Sequence, residues 1–215
     1  MRILAFESSA KAASVAVVED GLLLAEYYQN CGQTHSRTLM QMAQNLLCNC
    51  DLTPAQIDAA AVAAGPGSFT GVRIGIAAAK GFSWGRQIPC YGVSTLEAMA
   101  MGGRCLDGVI CAAMDARRQQ VYCALFRAEA GRLQRLSPDS AISLQELGVM
   151  LQKIEAKKFF IGDGAELCYN TLGETIKQAE LMPETQRMQR ASGVALLAFE
   201  MAGQGLRPDG GAVCA

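Results

Sequence analysis

The segment Gly65–Gly75 stands between two apolar runs and constrains the fold more than any other part of the 215-residue chain. The run before it, Ala59–Ala64, has the length and composition of a buried strand, and the run after it, Ile74–Trp84, is helix-like with almost no polar face. A helix this apolar needs cover on more than one side. The segment therefore predicts a buried strand, a glycine-rich turn and a helix whose second cover comes from this chain or from a partner.

The order of strands and helices places the first half of the chain in the α/β class. A meander comes first, because Asp20-Gly21 has the residues of a tight hairpin turn. Helices and strands then alternate, which is typical of a largely parallel sheet. The predicted strands are Ile3–Ser8, Ala12–Glu19, Leu22–Gln29, Ala59–Ala64 and Pro89–Val93, and the predicted helices are Thr34–Cys50, Thr70–Trp84 and Ser94–Met101.

The second half begins in the same way, with a strand, a short polar loop and a second strand. Its predicted strands are Val109–Met114, Val121–Ala128, Leu133–Leu136 and Lys158–Ile161, and its predicted helices are Ser143–Lys153, one after Gly164, and Ala191–Ala202. The first strand of each half ends in an acid, Glu7 or Asp115. Two such halves predict a duplicated, actin-like α/β fold with one lobe over 1–101 and a second over 102–215, where Leu206–Ala215 is a loose tail.

Composition excludes several classes of function. A single histidine, His35, rules out a metal site built on two histidines of this chain. A net charge of −1 argues against a nucleic-acid binder that acts alone. No apolar run approaches the roughly 18 residues of a membrane span, and Glu7 interrupts the start where a signal peptide would be apolar. We therefore expect a cytoplasmic protein whose nine cysteines are reduced.

The glycine-rich turn leaves three interpretations open. It is not a Walker A loop, because no Gly-Lys-Ser/Thr follows, and it lacks the third glycine of a dinucleotide fingerprint. It can be a tight connection whose glycines serve the backbone, a phosphate contact at a helix start, or a turn that touches a partner.

Several motifs resemble the TsaB (YeaZ) family, a subunit of the bacterial machinery that makes threonylcarbamoyladenosine on tRNA. The matching segments are Met1–Ala5, Gly65–Gly75, Gly92–Leu96 and Met114–Arg118, with a weaker match at Gly162–Gly164. The family usually has Asp at the position of Glu7, and its Pro-x-Tyr-Leu-Arg element is absent after Leu206.

This resemblance implies an actin-like ATPase (ASKHA, ribonuclease H-like) fold of two lobes. It also implies a non-catalytic subunit without a cofactor of its own, which pairs with the homologous metal-dependent subunit TsaD and works with the ATPase TsaE. The complex transfers a threonylcarbamoyl group to adenosine 37, so tRNA is expected as a partner only within that complex. No membrane contact is implied.

The predicted partner interface is formed by the helices Thr34–Cys50 and Thr70–Trp84. Each has an apolar stripe too wide to be covered by a single contact. Two such helices can form half of a four-helix contact that a second copy or TsaD completes. The alternative is that both helices are internal core. The candidate interface residues are His35, Leu39, Met42, Leu46, Phe69, Val72, Arg73, Ile76, Ala77 and Lys80.

A nucleotide site is the competing prediction. Glu7, Ser8, Ser9 and Asp115 occupy positions where actin-like ATPases hold magnesium and phosphates, which would suit a stand-alone ATPase or kinase. The loop after Asp115, however, has no glycine and carries bulky side chains, so these positions are expected to be vestigial. The single histidine also disfavours a metallopeptidase.

Overall fold

The computed structural model describes residues 1–206 and divides the chain into two compact units. The first contains Met1–Ala98 and the segment that begins at Gln189, and the second contains Met99–Met188. The expected lobe over 102–215 therefore ends too late, because the last helix, Ala191–Gly203, packs on the strands of the first unit. Most of the predicted tail Leu206–Ala215 lies outside the described residues.

The first unit is built on a five-stranded sheet with a meander on one side and parallel strands on the other. Its order is β3-β2-β1-β4-β5, in which β1 to β3 are antiparallel and β4 and β5 run parallel to β1. Its strands are β1 (Arg2–Glu7), β2 (Ala13–Glu19), β3 (Leu22–Gln29), β4 (Ala59–Gly65) and β5 (Cys90–Ser94). Its helices include α1 (His35–Asn49), the 3-10 helix Pro54–Gln56, α2 (Phe69–Arg86) and the first half of α3 (Thr95–Gly102).

The second unit repeats this order. Its sheet runs β11-β10-β6-β7-β8, with β9 added to β7, so the first strand again pairs with a meander on one side and parallel strands on the other. Its strands are β6 (Gly108–Arg117), β7 (Gln120–Glu129), β8 (Arg132–Arg135), β9 (Ser140–Ser143), β10 (Lys158–Ile161) and β11 (Ala179–Leu181), and its helices are α4 (Leu144–Gln152), α5 (Ala165–Leu172) and α6 (Glu184–Arg187). The predicted duplicated α/β fold is confirmed.

The core of the first unit lies between its sheet and the helices α1 and α2. Leu4 and Phe6 of β1 point into it, since residues two apart share one face of a strand. Ile3 and Ala5 on the opposite face are also fully buried, and α7 (Ala191–Gly203) packs on β1, β2 and β4. This sheet is therefore covered by helices through most of its area.

A carboxylate from β3 caps α7. Glu26 accepts the Ser192 N–H at 2.9 Å and the Ser14 hydroxyl at 3.0 Å, while Ser14 Oγ accepts the Ala191 N–H at 3.1 Å. The negative charge lies where a helix N-terminus favours it. These contacts fix the last helix to the first sheet.

No helix within residues 1–206 has both the length and the apolar character to span a membrane.

Candidate partner interface

The outward face of α2 carries large and small apolar residues in the open. Residues spaced about four apart fall within roughly 120° of the helix circumference, and we call this set the outer stripe of α2: Phe69, Arg73, Ala77, Gly81 and Trp84. All five are exposed, Phe69 by 69% and Trp84 by 87% of its surface. The two aromatic residues are about 22 Å apart along the axis. A monomer leaves this apolar helix face in water.

The inner face of α2 explains why the large residues lie outside. A Cβ at Gly71 would lie 2.1 Å from the carbonyl oxygen of Ser8, and one at Gly75 would lie 2.5 Å from Ser8 Oγ. The helix therefore approaches the loop after β1 so closely that only glycine fits. This side has little room for bulk, and Phe69 and Trp84 face away from the core.

Gly81 on the outer stripe differs from these glycines. A Cβ there would meet no heavy atom within 4 Å, so nothing in the described part of the chain requires glycine at this position. Glycine inside a helix costs about 1 kcal/mol relative to alanine. Small residues at Ala77 and Gly81 allow another helix to approach closely, since the distance between packed helices depends on the side chains at the contact.

An exposed cation–π pair forms the N-terminal end of the outer stripe. The Arg73 guanidinium carbon lies 3.7 Å from the centroid of the Phe69 ring, one helical turn away. Aromatic and arginine side chains are enriched in protein interfaces. The stripe thus ends in two residue types that anchor contacts well.

An apolar groove lies beside the outer stripe. It has a volume of about 710 Å³ and runs between α1, the 3-10 helix and the end of α2. Met40, Leu47, Leu52, Pro54 and Phe82 supply its apolar walls, and Met40 is 47% exposed. The groove reaches α2 only through the half-buried Phe82, and none of the five outer-stripe residues lines it.

The predicted interface residues of α1 lie elsewhere. Leu39, Met42 and Leu46 are buried to between 92% and 100% and belong to the core cluster of the first unit. They contact the sheet because α1 packs on β2 and β3 as well as on α2. The wide apolar stripe of α1 is explained by this double contact, so these three residues present no surface to a partner.

The other predicted residues divide between surface and interior. Phe69, Arg73 and Ala77 are exposed, Val72 and Lys80 are half-buried at the edge, and Ile76 is buried against the core. The structure thus brings together only part of the predicted set. Trp84, Gly81 and Met40 were missed, although extending the four-residue spacing from Phe69 would have found Gly81 and placed Trp84 on the same face.

His35 connects the start of α1 to the loop after β1. Its Nε2 donates to the carbonyl oxygen of Ala10 at 2.8 Å, since a carbonyl can only accept. The ring is half-buried. Its contact is therefore a structural tie within the first unit.

The loop after β1 bonds most of its polar groups internally, although the buried Ser9 hydroxyl has no hydrogen-bond partner among the described residues. The Ser8 hydroxyl donates to the Gly71 carbonyl at 2.9 Å, and the Ser9 carbonyl accepts the Ser68 N–H at 2.7 Å. The buried carboxylate of Glu7 accepts the Ser9 N–H at 2.6 Å. These bonds hold the loop against the start of α2, where an ATPase would direct such groups at a phosphate.

The corresponding loop of the second unit is closed by its own acid. Asp115 Oδ1 accepts the Arg117 N–H at 2.7 Å. Arg117, Arg118 and Gln119 follow with φ of 70°, 53° and 60°, three consecutive left-handed residues without a glycine. The carboxylate is thus engaged in forming a tight turn of bulky residues. It bonds the backbone of Arg117 rather than the guanidinium.

Residues 1–206 contain no group of three or more His, Cys, Asp or Glu side chains placed to hold a metal ion. All eight cysteines in this part of the chain are free thiols. Burial raises the pKa of Cys168 to about 12, so this thiol stays protonated at neutral pH. It is accordingly a core residue rather than a nucleophile.

Comparison of the sequence with known proteins finds a matching family model and similar proteins. Residues 29–206 match the family model described as TsaD, tRNA N6-adenosine threonylcarbamoyltransferase. The chain is 37% identical over 167 residues to the tRNA threonylcarbamoyladenosine biosynthesis protein TsaB of Bacillus subtilis, covering 78% of this chain and 73% of that one.

Solved structures show the same relationship. YeaZ from Pseudomonas aeruginosa superposes with a TM-score of 0.76 and 26% identity, covering 95% of this chain and 93% of the other. The ROK hexokinase of Thermus thermophilus superposes with a TM-score of 0.50 and 10% identity over 95% of this chain and all of that one. The hexokinase likeness concerns the fold alone, and it is the actin-like fold that the sequence predicts.

Proposed function

The chain belongs to the TsaB (YeaZ) family, and from this premise we propose that it is a non-catalytic subunit in the synthesis of threonylcarbamoyladenosine in tRNA. It pairs with TsaD, its catalytic homologue, and forms a homodimer when TsaD is absent. TsaE joins the pair, and tRNA is engaged only by the full complex.

The outer stripe of α2 is the observation that carries this proposal. It exposes Phe69 and Trp84 at either end and small residues between them. Burying such a face against a second helix removes apolar surface from water, and the small residues permit a close approach. Either a second copy or a homologue with an equivalent helix can satisfy this surface.

The bonds inside both loops support a role without catalysis. The Ser8 hydroxyl, the Ser9 backbone and the Asp115 carboxylate bond neighbouring groups of the same unit. The Ser9 hydroxyl is buried without a hydrogen-bond partner in the part of the chain that the structure describes. A phosphate contact by Ser8 would first have to break its bond to α2. We therefore expect no tight nucleotide binding by the isolated chain. Micromolar binding of ATP with magnesium in a calorimeter would favour the stand-alone ATPase or kinase instead.

The role in the pathway is tested in the cell that makes the protein. Depletion of the chain should lower the threonylcarbamoyladenosine content of tRNA, measured by mass spectrometry of digested nucleosides. A tagged chain should also retain TsaD and TsaE from the same cell during purification. An unchanged nucleoside content together with no retained TsaD would overturn the proposal.

Trp84 allows association to be followed directly, because it is the only tryptophan of the chain. Its side chain is 87% exposed in the monomer, so its fluorescence should move to shorter wavelength when TsaD or a second copy covers it. Any tryptophan of TsaD would add to the emission, so the matched control is the Trp84→Phe variant with the same partner. An emission that does not change on association would place the contact on another surface.

A further inference from the structure

Lys158 is a fully buried lysine in the second unit. It begins β10, where it lies in register between Val109 of β6 and Ala179 of β11. Only 1% of its surface is exposed, and the three residues that follow it in the strand are apolar and buried. A charged group in such a strand requires an explanation, because an ion loses its hydration on burial.

The ammonium group of Lys158 has fewer protein acceptors than donors. Its Nζ donates to the carbonyl oxygen of Lys177 at 3.0 Å, whereas an ammonium group has three donors. Within residues 1–206 it forms no ion pair with a carboxylate inside 4.0 Å. Two donors and the charge itself are thus left for something outside the protein.

A pocket of about 450 Å³ lies against this lysine. Its other lining residues are Gln152, Ile154, Glu155, Thr175, Lys177 and Gln178. Lys177 adds a second positive charge and the two glutamines add amide donors. The volume exceeds that of several water molecules, so a small ligand fits.

We propose that this pocket binds a small oxyanion, with one oxygen accepting from Lys158 Nζ and the rest of the molecule facing Lys177 and the amides. Glu155 lines the same pocket and repels negative charge. A monoanion such as a carboxylate is therefore favoured over a doubly charged phosphate. The site lies within the second unit and is independent of the outer stripe of α2.

The electrostatics agree with this assignment. Burial lowers the pKa of Lys158, while Glu155 raises it and Lys177 lowers it further. A bound anion acts on this pKa in the direction opposite to burial, because a nearby negative charge favours the ammonium form. Anion binding and protonation of Lys158 are thus linked, and the link can be measured.

The wild-type chain with ¹³C-labelled lysine provides the first test. Acetate and phosphate are titrated separately at constant ionic strength, with chloride as the balancing salt, and the Lys158 Cε shift is followed by NMR across pH. The expected result is a saturable shift and a raised Lys158 pKa, larger with acetate. A stronger response to phosphate would still support the site and assign it to phosphate. If neither acetate nor phosphate changes the Lys158 Cε shift or the Lys158 pKa more than chloride does, the proposed anion site is overturned.

A variant pair provides the second test. Lys158→Met keeps the length of the side chain, and replacing a buried charge by an apolar residue of similar size is often tolerated. Anion affinity, measured from backbone shifts of the neighbouring residues, should fall about tenfold or more, whereas Lys153→Met on the exposed end of α4 should leave it unchanged. Retained affinity in Lys158→Met would contradict the proposal, and if that variant does not fold, the wild-type titration decides.

Discussion

Helices α1 and α2 lie side by side on the same sheet, yet α1 buries mostly large side chains and α2 buries mostly small residues, with Ile76 as the one large exception. α1 buries large side chains such as Leu39 and Leu46. α2 buries Gly71 and Gly75 and leaves Phe69 and Trp84 in water. Apolar composition alone thus does not tell which face of a helix is covered. The closeness of the approach decides, because a helix that comes very near its neighbour has no room for bulk on that side.

The largest expected effect comes from adding bulk to the inner face of α2. Gly71→Val would place its Cβ 2.1 Å from a backbone oxygen of Ser8, which cannot move away as a flexible side chain can. We expect the free energy of unfolding to fall by about 3 kcal/mol or more, measured by urea denaturation.

The matched control is Gly81→Ala on the outer stripe, where a Cβ meets open space. This change should raise the free energy of unfolding by about 1 kcal/mol, because alanine is the better helix former. Equal effects at positions 71 and 81 would erase the distinction between the two faces of α2.

Leu46→Ala tests the opposite arrangement in α1. Leu46 is completely buried, so removing its side chain should leave a cavity and lower the free energy of unfolding by about 3 kcal/mol. The association of the folded protein should stay the same, as sedimentation velocity can show. If the free energy of unfolding falls by less than about 1 kcal/mol and association weakens, Leu46 belongs to the interface and not to the core.

Trp84→Ala should produce the reverse pattern. Since its side chain is 87% exposed, the free energy of unfolding of the monomer should change by less than about 0.5 kcal/mol. Association with TsaD or with a second copy should weaken by about 2 kcal/mol, or roughly 30-fold in Kd, measured by sedimentation equilibrium. Unaltered association would show that the outer stripe ends before Trp84.

The smallest expected difference lies at the two helix starts. The Ser68 side chain accepts the Gly71 N–H at 3.3 Å at the start of α2, whereas Thr34 makes no such bond at the start of α1. Ser68→Ala should therefore cost about 1 kcal/mol of unfolding free energy. Thr34→Ala should cost less than half of that, and similar losses in both variants would argue against the difference in capping.

Sequence periodicity predicted much of the fold. The spacing of Leu39, Met42 and Leu46 gave α1, and the apolar run before Gly65 gave β4, with ends that differ from the observed ones by a residue or two. β9, β11 and α6 were missed because elements of three or four half-exposed residues have too few positions to show a period. The placement of α7 with the first unit depends on contacts distant in sequence, which local patterns do not contain.

Which helix residues are exposed was predicted less well, for a physical reason. Core stripes and contact stripes share the same helical period, so Leu39 and Phe69 look alike in sequence although one is buried and the other exposed. Glycine is equally ambiguous. Gly71 is required by the approach of Ser8, while Gly81 faces open space. Only the three-dimensional contacts of each residue distinguish these cases.

A charge at the middle of the outer stripe of α2 tests most directly whether this stripe is the contact surface, as proposed above. Ala77 is exposed, whereas its neighbour Ala78 packs half-buried against the core, so Ala77→Glu should leave the fold intact. In sedimentation equilibrium, Ala77→Glu should weaken binding to TsaD and to a second copy by about 100-fold, the cost of burying an unpaired charge. Val149→Glu, at an apolar position 55% exposed on α4, should bind like the wild type. Wild-type association by Ala77→Glu would contradict the account.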